Sequence, residues 1–213
     1  MRTRIWRRTA TVILLALVAG IQGCRAGSAD LEPVVYTFRF PTTEEYLVSL
    51  SSRIARLQSS PGRLLQTLEE ASLGVWETAS SGVGTTPTTV SYYVKGAIVG
   101  FLLDVRIRSA TGGERSLDDV MRLAYQRYGG ERGFTPEEFR ATVEEVAGAD
   151  LTEWFRRAVA STEELDYEET LDWYGLRFAE DGSWRLEGSE EASITQEENL
   201  QALLASAWQD PGP

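Results

Sequence analysis

Histidine is absent from this 213-residue sequence, and cysteine occurs once, at Cys24. Together the two absences remove several chemistries. Hydrolytic zinc centres take three protein ligands, usually with at least two imidazoles among them, and a single thiolate does not replace these. Ser-His-Asp and Cys-His nucleophile arrangements fall with the same absence. One cysteine also excludes an internal disulfide. Basic residues are few, 21 against 32 acidic ones, for a formal net charge of −11. Phosphate-backbone binding needs clustered cations, so no nucleic-acid partner is expected. No glycine-rich phosphate loop is present, because Gly112-Gly113 lacks the lysine that would follow and reads as a turn.

What the sequence does contain is the material of a folded domain. Hydrophobic residues make up 42% and charged residues 25%, close to soluble globular averages, so a packed core is the default expectation. The acid pairs Glu137-Glu138, Glu144-Glu145 and Glu190-Glu191 read as solvated helix faces or tail. A carboxylate-only magnesium or calcium site would need spaced oxygen ligands, and no such loop is visible. Two carboxylates could also serve a glycosidase, but any acidic chain offers such pairs.

Residues 1–23 differ from the rest. Arg2, Arg4, Arg7 and Arg8 precede an apolar stretch at 10–21 and then Gly23, the order of a secretory signal. The stretch is shorter than the ~20 apolar residues of a membrane-spanning helix. Cys24 follows Ile21-Gln22-Gly23, which resembles the bacterial lipobox, with Gln22 an unusual occupant. The expectation is a lipoprotein signal at 1–23 with Cys24 as the lipidated residue, and the alternative is an ordinary signal peptide with an incidental cysteine. Either way, removing 1–23 takes away four arginines and no acid, which leaves an even more acidic chain.

Residues 24–41 read as a linker with an isolated strand at 34–40, closed by Pro41. From there the pattern turns helical. Helices are expected at 44–58 and from Ser60-Pro61-Gly62 onward, with Leu64, Leu68, Ala71 and Val75 on the inner face of the second. The series breaks over 82–89. Residues 92–109 carry an apolar band wider than one stripe, predicting the central and most buried helix. Thr111-Gly112-Gly113 ends it. Ser116 caps the next helix, with Leu117, Val120, Met121, Ala124 and Tyr128 inward. Thr135-Pro136 opens another, with Phe139, Val143 and Val146 inward. Asp150 caps a helix bearing Leu151, Trp154, Phe155, Ala158 and Val159. A short helix at 166–174 precedes Gly175. Leu176-Arg177-Phe178 and Trp184-Arg185-Leu186 around Asp181-Gly182 predict a small β-hairpin, and 195–208 a terminal amphipathic helix. The fold class is therefore mainly α, with a helical domain at 42–175 and a short hairpin and terminal helix at 176–213.

Several segments occur in an order that resembles a known family. They are Thr43-Glu44-Glu45-Tyr46-Leu47, Ser60-Pro61-Gly62-Arg63, Gln66-Thr67-Leu68-Glu69-Glu70-Ala71-Ser72, Val90-Ser91-Tyr92-Tyr93-Val94-Lys95-Gly96, Asp104, and Ser116-Leu117-Asp118-Asp119-Val120-Met121. The family is the glycyl aminopeptidases, zinc metallopeptidases related to thermolysin, and the resemblance covers about residues 42–178. It implies a helical bundle like the C-terminal helical part of a thermolysin-like catalytic domain. For a complete member it also implies a β-rich N-terminal domain, and usually a PDZ domain, which is not recognisable here. It further implies a zinc ion held by a His-Glu-x-x-His helix and a downstream glutamate, just before the equivalent of Thr42. Here that place is held by 34–41, which resembles the family's first N-terminal strand, so the cofactor is expected to be absent for want of ligands.

By the same resemblance, Tyr93 falls where related zinc aminopeptidases place a tyrosine that stabilises the tetrahedral intermediate, which would make it vestigial in this chain. Its other reading is an aromatic residue packing at the start of a buried helix. The functional expectation is a secreted or lipid-anchored truncated relative of a zinc aminopeptidase that does not hydrolyse peptides by itself. The alternative is a non-catalytic helical binding or scaffold module that pairs with another envelope protein. Both place the chain outside the cytoplasm, in the periplasm or at the outer membrane, held to the membrane through Cys24.

Overall fold

The first helix, α1 (Thr43–Gln58), starts where two side chains satisfy each other's backbone. The Glu45 carboxylate accepts the Thr42 N–H at 2.8 Å, and the Thr42 hydroxyl accepts the Glu45 N–H at 3.2 Å. This reciprocal cap fixes two donors that a helix N-terminus otherwise leaves unmade. The computed structural model describes residues 42–81 and 89–205. The expected signal at 1–23, Cys24, the expected strand at 34–40, residues 82–88 of the expected break and the last residues of the expected terminal helix lie outside the described residues.

The second helix begins later than the sequence pattern suggests. Ser60-Pro61 opens only a 3-10 turn, Pro61–Leu64, and Ser60 makes no side-chain cap. The true start is α2 (Leu68–Ser81), where Thr67 and Glu70 form a second reciprocal cap at 3.0 and 2.9 Å. Two satisfied donors there outweigh a proline that merely suits a first helical position. As a result Leu64 is exposed and not on an inner face, while Ala71 is buried.

Helix α3 (Tyr92–Ala110) is the axis of the molecule, as the wide apolar band predicts. Val94, Ile98, Val99, Phe101, Leu102 and Val105 join one core with α1 residues Leu50, Ile54 and Leu57. Leu103 and Ile107, on the other side of α3, join a second core. A helix that feeds two cores has no polar face left, which explains the breadth of its apolar band. Burying each large aliphatic side chain contributes roughly 1.5–3 kcal/mol, so α3 accounts for a large share of the stabilisation.

The second core is closed by α4 (Leu117–Tyr128), α5 (Pro136–Ala147) and α6 (Thr152–Ala158), through Val120, Val143, Ala147 and Leu151. The Asp119 carboxylate accepts the Ser116 N–H at 2.9 Å and the Ser116 hydroxyl at 3.3 Å at the start of α4, and Thr135 and Glu138 cap α5 reciprocally. Two details differ from expectation. Met121 is 53% exposed, because it lies one position past Val120 and rotates out of the stripe that Val120 and Ala124 bury. Asp150 acts one residue earlier than a helix cap would: its carboxylate accepts the Thr152 N–H at 2.8 Å, and Leu151 is the residue that flanks α6.

Helix α7 (Glu168–Tyr174) ends at Gly175, whose φ of 59° is left-handed. A side chain there would also meet Ala192 Cβ at 2.7 Å, so glycine is required twice over. Strands β1 (Leu176–Phe178) and β2 (Leu186–Gly188) pair antiparallel, with Phe178 opposite Leu186. The second strand starts later than expected because Trp184 adopts φ 59° and belongs to the turn. There it packs edge-on against Phe178, with ring centroids 5.1 Å apart. The Ser51 hydroxyl of α1 accepts the Leu186 N–H at 2.9 Å. Helix α8 (Ile194–Ala205) places Leu203 in the first core. The described residues thus form a mainly helical fold with one small antiparallel hairpin, and no helix among them is long and apolar enough to cross a membrane.

Candidate functional site

The start of α3 gathers the residues the sequence singled out. Tyr92 is half-buried against the first core, and Tyr93, next along the chain, points away from it. Tyr93 is 71% exposed, with its ring centroid 4.1 Å from that of Tyr92. The packing reading therefore describes Tyr92 and not Tyr93: adjacent helical positions sit about 100° apart, and at this step the turn carries the Tyr93 ring into solvent.

Two positions further, Lys95 turns inward. It is 1% exposed, and its ammonium nitrogen has no hydrogen-bond partner. Burial pushes its pKa down, and the Glu164 carboxylate partly opposes this. Glu164 is itself engaged by Arg63 at 2.9 Å. Nothing in the local pattern signals that this lysine is buried, because a charged residue in an apolar band is normally assigned to solvent.

The other end of α3 is complete. Asp104 accepts Arg108 Nε at 2.7 Å through one carboxylate oxygen and the Leu117 N–H at 2.8 Å through the other. One side chain thereby ties α3 to the first turn of α4. The Asp104 and 116–119 segments of the family resemblance, twelve or more positions apart in sequence, thus meet in space. Burial raises the phenol pKa of nearby Tyr174, with the Asp104 charge adding to the effect, and the Tyr174 hydroxyl has no hydrogen-bond partner.

Two depressions lie near α3. An open groove of about 780 Å³ runs between the start of α2, the start of α3, α5 and α6, lined by Leu68, Leu73, Tyr92, Gly96, Phe155 and Val159. A smaller cavity of about 310 Å³ lies by Leu102, Trp154 and Leu165, with Arg106, Glu164 and Glu169 at its edge. Arg106 and Glu169 pair across that edge at 2.7 Å.

The donor set does not fit the zinc ion of the glycyl aminopeptidases. The sequence has no imidazole, its one thiol is outside the described residues, and no group of three or more metal-ligating side chains occurs among the described residues.

A comparison with protein families finds that the M61 glycyl aminopeptidase family model matches residues 33–99, about a third of the chain. The match spans α1, the 3-10 turn, α2 and the beginning of α3, and includes Tyr93 and Lys95; it ends well before residue 178, the far limit of the resemblance read from the segments. Neither a comparison with curated proteins nor one with solved structures finds a match. Over residues 33–99, the chain is therefore similar to a family of peptidases.

Proposed function

We propose that this chain is a non-hydrolysing relative of the glycyl aminopeptidases, carried outside the cytoplasm and held at a membrane by lipid on Cys24. One observation carries the first half: a sequence with family similarity has no histidine with which to hold a hydrolytic zinc ion. Tyr93 stands exposed at the head of α3, but without a metal to polarise a carbonyl its hydroxyl would have no developing oxyanion to stabilise. The second half rests on the order of arginines, apolar stretch, Gly23 and Cys24.

The test is direct. Purified chain incubated with glycyl peptides and zinc should release no amino acid above buffer and should retain no stoichiometric zinc after dialysis. Chelator-sensitive release by a stoichiometrically zinc-loaded sample would overturn the proposal. For the anchor, cells fed a labelled fatty acid should label the wild-type chain and not Cys24→Ala; equal labelling of both would remove Cys24 from the account.

A second reading is a binding module for another envelope protein. It is favoured by the open apolar groove and by Leu73 at its edge, which is 65% exposed. Contiguous exposed apolar surface on a soluble chain usually marks an interaction site. Recovery of a defined partner from envelope extracts would support this reading, and recovery of none would weigh against it.

A further inference from the structure

The groove between α2, α3, α5 and α6 has a floor without side chains at one point. A Cβ built on Gly96 would meet nothing within 4 Å, and the same holds for Gly100 one turn further along α3. A glycine in a helix interior is unfavourable by roughly 1 kcal/mol relative to alanine, and here no packing neighbour among the described residues requires it. Its effect is to leave the α3 backbone open to close approach from the groove. Leu68, Leu73, Tyr92, Phe155 and Val159 surround that opening.

The charges at the rim are unequally matched. Arg140 is engaged by Thr152 at 3.2 Å and Glu144 at 3.9 Å, and Arg156 by Glu153 and Glu163. Glu69 and Glu137, also on the rim, are exposed and have no ion pair or side-chain hydrogen bond among the described residues. The groove is thus apolar along its length and negative at its edges, in a chain whose formal net charge is −11. An apolar groove with small residues on its floor suits a helix that lays its apolar face into it, and negative rims favour positive flanks on that helix.

From this geometry we propose that the groove is a docking site for an amphipathic helix of a partner protein, with leucine-like side chains over Gly96 and lysine or arginine beside Glu69 and Glu137. The proposal rests on the binding-module reading and gives it a place and a partner chemistry. Anionic lipid is disfavoured as an occupant by the same two carboxylates.

The experiment uses the purified full chain and fluorescence anisotropy with three labelled synthetic peptides of equal length. One is an amphipathic leucine-lysine helix, the second replaces lysine by glutamate, and the third scrambles the leucine-lysine order so that no apolar face forms. Only the first should bind. Gly96→Leu, whose side chain would occupy the groove, should weaken binding by about tenfold or more, while its thermal midpoint stays at or above that of the wild type. The double variant Glu69→Gln/Glu137→Gln should weaken binding by about threefold at low salt, with the difference vanishing at high salt.

Equal binding of the glutamate peptide, or binding unaffected by a folded Gly96→Leu variant, would overturn the proposal. So would a wild-type dimer that Gly96→Leu dissolves, since the groove would then hold a second copy. If no peptide binds while envelope extracts still yield a partner, the groove assignment fails and the binding-module reading stands.

Discussion

The two ends of α3 solve the same problem in opposite ways. At the C-terminal end the buried charge of Asp104 is matched by Arg108, and its second oxygen serves a backbone donor of α4. At the N-terminal end Lys95 is buried with no partner, Tyr93 stands in solvent, and Gly96 faces open space. The first arrangement is complete within the described residues and fixes one helix to another. The second leaves an amine unsatisfied and a surface uncovered, and it is the end that the family match reaches. A tie between two helices and an uncovered surface thus stand at opposite ends of a single helix.

The largest break of this contrast is Asp104→Ala. It deprives the Leu117 N–H and Arg108 of their shared acceptor in a mostly buried setting, and removing one partner of such a pair costs about 3–5 kcal/mol. Urea unfolding should show an unfolding free energy lowered by that amount, and a loss below about 1 kcal/mol would mean the tie is incidental.

Lys95→Met should act in the opposite direction. Replacing a buried, unpartnered amine by an apolar chain of similar length should stabilise the fold by roughly 2 kcal/mol at neutral pH. The pH dependence has a definite sign. The folded pKa of Lys95 lies below its ordinary value of 10.5, so the unfolded state binds more protons between the two values, and wild-type stability rises with pH across that window. The advantage of Lys95→Met is therefore full below the folded pKa and shrinks as pH climbs towards 10.5. An advantage that does not change with pH would show that Lys95 is not desolvated.

Thr67→Ala removes the reciprocal cap of α2 and should cost about 1 kcal/mol. Ser60→Ala should cost almost nothing, because Ser60 makes no side-chain cap; the reverse order in urea midpoints would restore the earlier helix start. The smallest effect is Gly96→Ala, which should stabilise by up to about 1 kcal/mol. A destabilised Gly96→Ala would mean the groove floor is already in contact with something.

How far these features were legible in the sequence depends on their range. Ser116 and Thr135 announced their helices because a cap is written within four residues, while the Thr42 cap of α1 went unread. The breadth of the α3 apolar band gave its central place, since a helix with two cores can show no polar stripe. The start of α2 was obscured by Ser60-Pro61, a start signal placed seven positions before a stronger one at Thr67-x-x-Glu70. Trp184 could not be assigned to the turn, because positive φ in a tryptophan is set by tertiary packing on Phe178. Of the site, Tyr93 was marked by its family segment. The burial of Lys95, the bridge from Asp104 to Leu117 and the groove were not legible, since each depends on elements brought together from distant parts of the chain.

The hydrogen bond from the Leu186 N–H to the Ser51 hydroxyl joins residues 135 positions apart. Translation proceeds at about 5–20 residues per second, so α1 emerges on the order of ten seconds before the strand that completes its contacts. Through that interval Leu50, Ile54 and Leu57 lack the Leu186 and Leu203 side chains that share their core. The core that α1 enters is consequently left incomplete until the last third of the chain has been made.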